Sequence, residues 1–104
     1  MTLYIFEVCK LLSQIPINLE KISKDKVDKE ILRAGIIAEL DAINLYEQMA
    51  ALAQDSMIKR ILLDIAREEK AHVGEFQALL LMKDPEQVKE LEEGKKEVEE
   101  LKEK

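Results

Sequence analysis

The sequence predicts an all-α protein: an antiparallel two-helix hairpin plus a short C-terminal helix, completing a four-helix bundle by dimerisation. Three observations predict it. The 104 residues include only three Gly and two Pro, so little in the chain breaks a helix. Hydrophobic residues make up 47% and charged residues 37%, a mixture that favours long helices. Two long stretches carry apolar residues three and four apart, with a turn-like tripeptide between them.

Residues 1–25 read as an N-terminal apolar arm followed by a charged linker. Leu3, Ile5, Phe6, Val8, Leu11, Leu12 and Ile15 suit either a short amphipathic helix or an extended arm. Pro16 disfavours helix at Ile15.

Residues 26–83 read as the hairpin. Its first helix starts near Lys26, and Leu32, Ile36, Leu40, Ile43, Ala50 and Ala53 recur along it at helical spacing. Ile31, Ile37, Leu45 and Leu52 widen that stripe. Gln54-Asp55-Ser56 reads as the turn, with Asp55 or Ser56 as N-cap. The second helix is expected from about Ser56 to Met82, with Ile58, Ile61, Leu62, Ile65, Val73, Phe76, Leu79 and Leu80 as its apolar positions. Met49, Met57 and Met82 read as core.

Residues 84–104 read as a short charged helix and tail. Asp84-Pro85-Glu86-Gln87 has a cap, a proline at the first helical position and Gln87 three residues after the cap. Val88, Leu91, Val98 and Leu101 are the apolar anchors, and Gly94 is expected to interrupt the helix.

A stripe this wide cannot all be buried by one hairpin. Two helices alone have no core, so at least two chains are expected to share one bundle.

Composition excludes several functions. There is no Trp, and aromatics are 4%, which argues against stacking on nucleic-acid bases. A net charge of −6 argues against binding a phosphate backbone. Cys9 is the single cysteine, which excludes an intrachain disulfide and a Cys-based zinc cage. No run reaches the roughly 18 apolar residues of a membrane span, and the N-terminal run lacks a basic n-region and a cleavage site. No nucleic acid and no membrane are therefore expected as partners. A cytoplasmic protein with reduced Cys9 is expected.

The chemistry lies in the hairpin. Glu69-Lys70-Ala71-His72 places Glu69 and His72 on one helical face, about 5–6 Å apart at Cβ. Alone, that pattern describes a surface salt bridge just as well. Glu39 changes the weighing, because it interrupts the apolar run Ile36–Leu40, where a carboxylate is costly unless paired or liganded. If the turn is centred between Gln54 and Asp55, Glu39 and Glu69 differ in height by one residue, about 1.5 Å. His72 lies about 3 Å from the level of Glu39. Three potential ligands thus share one level of one hairpin.

Di-iron carboxylate bundles take a Glu from each of two helices and a Glu-x-x-His from each of two others. This chain has one of each and one histidine, so it owns half a site. A two-fold dimer supplies Glu39, Glu69 and His72 twice, and four carboxylates balance two divalent ions. Oxygen and imidazole donors without thiolate suit iron or manganese, although zinc also fits. Tyr46, seven residues after Glu39, is on the same face and is a candidate for hydrogen bonding or one-electron chemistry; it equally suits a half-buried seam position. Asp41, on another face, could attract cations on their way in.

The stretch Ile36 to Tyr46, with Ala66-Arg67-Glu68-Glu69-Lys70-Ala71-His72, resembles the encapsulated ferritins, the two-helix branch of the ferritin and rubrerythrin superfamily. The resemblance spans about residues 29–92. It is carried by Glu, Tyr and Glu-x-x-His together, at 7, 30 and 33 residues from Glu39. It implies a ferritin-like bundle formed by two chains, with a di-iron ferroxidase site between them and two iron ions per dimer. It also implies assembly of the dimers into a ring, usually a decamer, and residence inside an encapsulin shell in the cytoplasm. In some archaeal members the module is fused to the front of the shell protein.

Under the resemblance Glu39, Glu69 and His72 fall on the iron ligands, Tyr46 on the site-adjacent tyrosine, and Asp41 on an acidic position near where metal enters. Ala38 stands where some members have a second acid, and Leu45 where many have Trp. The sequence thus points first to a ferroxidase for iron storage and detoxification. A rubrerythrin-like peroxide reductase comes second, since no Cys-x-x-Cys module is present to deliver electrons. A non-enzymatic helical dimerisation module is the third reading.

Overall fold

The computed structural model of the chain describes residues 23–103. The expectations for the apolar arm, for Pro16 and for Cys9 lie outside the described residues. Three helices follow one another: α1 is Lys24–Leu52, α2 is Ser56–Lys83 and α3 is Pro85–Lys102. Among the described residues no helix is long and apolar enough to cross a membrane.

Each boundary has a local cause. Ser23 has extended backbone and precedes α1, which starts at Lys24, two residues before the expected start. α1 closes at Ala53, whose N–H donates to the Met49 carbonyl at 2.9 Å. Asp55 is the N-cap of α2, and one oxygen of its carboxylate accepts from the N–H groups of Met57 and Ile58, at 2.9 and 3.0 Å. That satisfies two donors that have no partner inside the helix. Asp84 caps α3 by accepting the Gln87 N–H at 3.1 Å, and Pro85 occupies the first helical turn.

α1 and α2 have 29 and 28 residues, so each is about 43 Å long and they match end to end. They pack as an antiparallel pair. The seam buries Leu32, Ile43 and Ala50 of α1 against Ala66 and Leu80 of α2. The two alanines are only 2% exposed, and their size lets the helices approach closely. Further along, an added Cβ on Gly35 would meet three ring atoms of Phe76 at 3.2 Å, so the ring lies against the bare backbone of α1.

Two expectations are corrected. α3 does not break at Gly94 but runs through it for 18 residues. One mid-helix Gly costs only about 1 kcal/mol, and Gly94 is flanked by Glu, Lys and Leu, which favour helix. Met49, Met57 and Met82 are not core but exposed. A single hairpin covers only its seam, and these three lie off it. Ile31, Leu40, Ile58, Ile61 and Leu79 are exposed for the same reason.

The described residues extend 46 by 45 by 21 Å. The hairpin fills the first dimension. The second is far wider than two packed helices, whose axes lie about 8–10 Å apart, so α3 departs from the hairpin at a steep angle.

Candidate metal centre

Glu39 sits at the middle of α1, and Glu69 and His72 near the middle of α2. The antiparallel seam brings one donor atom from each to within 4.8 Å of the other two. Nδ1 of His72 lies 3.2 Å from Oε2 of Glu69 and 3.6 Å from Oε2 of Glu39. The first is a hydrogen bond when Nδ1 carries the proton. The second is too long for one.

The carboxylates are largely withdrawn from water and the imidazole is not. Glu39 and Glu69 side chains are 21% and 18% exposed, and that of His72 is 45% exposed. Oε2 of Glu39 is buried and has no hydrogen-bond partner. Leaving such an acceptor unmade costs roughly 1–3 kcal/mol, and more for a charged group. A divalent cation between the three side chains would satisfy it. Two carboxylate oxygens and one imidazole nitrogen form a donor set suited to iron, manganese or zinc. Three protein donors leave any bound ion short of a full shell.

The other residues singled out in the sequence lie around this group. Tyr46 is half-buried on α1, two turns beyond Glu39. Asp41 is half-buried, two residues past Glu39 and therefore on a different face of α1, outside the three-residue group. Lys70, next to Glu69, reaches across to α1 and pairs with Glu47 at 3.3 Å. Asp64 pairs with Arg67 along α2, and that guanidinium holds its carboxyl below the usual value. Neither pair is part of the three-residue group. Sequence reasoning missed the contact of Gly35 with Phe76, which belongs to the same rung pattern: Gly35 precedes Glu39 by four, and Phe76 follows His72 by four. The only signal for it was a glycine within an apolar helical stripe.

Comparisons with known proteins agree with the helical fold. The family model for rubrerythrin matches residues 30–104. A ferritin-like–encapsulin shell fusion protein of Pyrococcus furiosus is 64% identical over 85 residues, which cover 82% of this chain and 25% of that protein. The chain therefore spans about a quarter of that relative's length. The crystal structure of the encapsulated ferritin domain from Pyrococcus furiosus superposes with a TM-score of 0.75 at 60% identity, covering 86% of this chain and 92% of that one.

Proposed function

From the premise that the chain belongs to the rubrerythrin family of ferritin-like proteins, we propose that it is a ferroxidase whose di-iron site is shared between two copies. The observation that carries the proposal is the buried, unpartnered Oε2 of Glu39 beside Glu69 and His72. Within one chain that oxygen has no hydrogen-bond partner. Between two chains, two such groups supply four carboxylates and two imidazoles, and their four negative charges balance two Fe(II) ions.

Fe(II) is the substrate. Each ion gives up one electron, and dioxygen takes up the electrons with protons. The residues have distinct tasks. Glu39 and Glu69 present hard oxygen donors, which favour the Fe(III) product. His72 presents Nδ1, the ring nitrogen that already faces both carboxylates. A proton held on Nδ1 must leave when metal binds. Tyr46 stands two turns away as a hydrogen-bonding or one-electron neighbour. Asp41 offers negative charge on the path inward. The exposed Ile31, Ile58, Ile61 and Leu79 are apolar surface that a second copy would cover, closing a four-helix bundle and excluding water from the site.

The name of the fusion relative supports residence of this domain within an encapsulin shell in the cytoplasm. Assembly of the dimers into a ring, as a decamer, belongs to the same proposal.

The test is aerobic Fe(II) oxidation by the purified protein, with iron stepped from zero to several ions per chain. A fast phase that saturates at one iron per chain supports the shared site. Oxidation that only tracks a protein-free control removes the proposal. The family match to rubrerythrin favours one second reading, peroxide reduction. It predicts that hydrogen peroxide in anaerobic buffer oxidises the bound Fe(II) faster than dioxygen does.

A further inference from the structure

α3 is joined to the hairpin through one residue. α2 ends at Lys83, α3 begins at Pro85, and Asp84 lies between them. Asp84 is 8% exposed and is the one buried polar or charged residue among the described residues. Its two carboxylate oxygens face different elements. Oδ1 accepts the Gln87 N–H of α3 at 3.1 Å, and Oδ2 accepts from the Arg33 guanidinium of α1 at 3.0 Å.

Apolar packing against the hairpin does not account for the direction of α3. Its apolar residues Val88, Leu91, Val98 and Leu101 are 43–71% exposed. The helix nonetheless leaves at a steep angle and in one direction. Pro85 confines Asp84 to the extended region but leaves a range of torsions within it, so a contact beyond the chain connection is needed to hold one direction.

We propose that the Asp84 carboxylate is a pin that sets the direction of α3 relative to the hairpin, with Arg33 as its anchor on α1 and the Gln87 amide as its anchor on α3. A carboxylate suits this task because it is acceptor-only and offers two oxygens. An ionised acceptor also makes the stronger class of hydrogen bond. Lys29, four residues before Arg33 on α1, adds positive charge on the same side. Arg33 thus fixes where α3 points and contributes nothing to its helical hydrogen bonds. Direction and helicity should therefore separate. The inference does not rest on iron chemistry.

The experiment measures one distance in the assembled 104-residue chain. Spin labels are placed at Lys59→Cys and Lys96→Cys in a Cys9→Ser background, and the labelled chain is sparsely mixed with unlabelled chain. Pulsed electron resonance then reads the spread of distances between the start of α2 and the middle of α3. Wild-type pairing at Arg33 is expected to give one narrow distribution. Arg33→Gln leaves the Asp84 cap in place, so helical content by circular dichroism stays constant while the distribution at least doubles in width or moves. Arg33→Lys, which keeps a cation, should stay narrower than Arg33→Gln. Asp84→Asn, which keeps an oxygen for the cap, should broaden the distribution as Arg33→Gln does. A wild-type distribution in Arg33→Gln overturns the pin. So does a fall in helical content that accompanies the broadening, because Arg33 would then support the helix and not its direction.

Discussion

At the scale of single residues, Glu39 carries opposite values for stability and for metal binding. Its Oε2 is buried without a partner, next to a second carboxylate. In Glu39→Gln the charge is gone, and the new amide can donate to Glu69. Without metal this variant should be more stable than wild type by about 1 kcal/mol, the order of one buried unmade hydrogen bond. It should also lose saturable Fe(II) oxidation. Thermal melts in chelator and an iron titration check the two halves separately. His72→Ala should keep helical content and lose the fast oxidation phase, whereas a purely structural cluster would show no such loss.

Asp84 gives a pH prediction at the same scale. The Gln87 N–H bonded to its carboxylate holds it below its ordinary value of 3.8; burial opposes that, and the Arg33 guanidinium reinforces it. Its value is thus lower in the folded state than in the unfolded one, so its contribution to stability is present above about pH 4 and is lost as pH falls through the lowered folded value. Denaturation midpoints measured from pH 5 to pH 2 should fall less steeply in Asp84→Asn than in wild type.

At the scale of elements, two glycines in long helices should answer alanine differently. A Cβ on Gly94 meets nothing within 4 Å, so Gly94→Ala should stabilise the protein by about 1 kcal/mol through helix propensity alone. A Cβ on Gly35 meets the Phe76 ring at 3.2 Å, so the same propensity gain is spent moving a ring. Gly35→Ala should fall short of Gly94→Ala in a melt. Removing the cap in Asp55→Ala should cost about 1 kcal/mol, because two N–H groups at the start of α2 lose their acceptor.

The sequence made much of this scale legible. The N-cap at Asp55 is signalled by short polar residues ahead of an apolar stripe, and the cap at Asp84 by the proline and Gln87 that follow it; both caps stand in the structure, with Ser56 already the first residue of α2. Once the turn is placed, the level of Glu39 against Glu69 and His72 follows from 1.5 Å per residue, and the structure brings the three together. The interruption expected at Gly94 does not occur, because the glycine does not act alone. Its penalty is about 1 kcal/mol, and the surrounding Glu and Lys residues offset it. The pairing of Arg33 with Asp84 was not legible at all. The partners are 51 residues apart, and their meeting depends on the angle of α3, which no periodicity encodes.

At the scale of the whole molecule, the exposed apolar faces decide how the chain exists in solution. Leu32, Ile43, Ala50, Ala66 and Leu80 are the buried hydrophobic residues among those described, two of them alanines. That is too small a core for an independent domain of this length. Light scattering at micromolar concentration should therefore give a dimer or a larger multiple. If metal bridges the two copies, excess chelator should shift that distribution toward smaller species on dilution, and Fe(II) should reverse the shift.

The division of donors between hairpins has a last consequence. A newly made chain carries Glu39, Glu69 and His72 but holds only half of the ligands that the proposed chemistry requires. Under the proposed function it would oxidise no ferrous ions until it pairs with a second copy. The encounter that closes the core would then also arm the site, and oxidation would be confined to protein already assembled by its own packing.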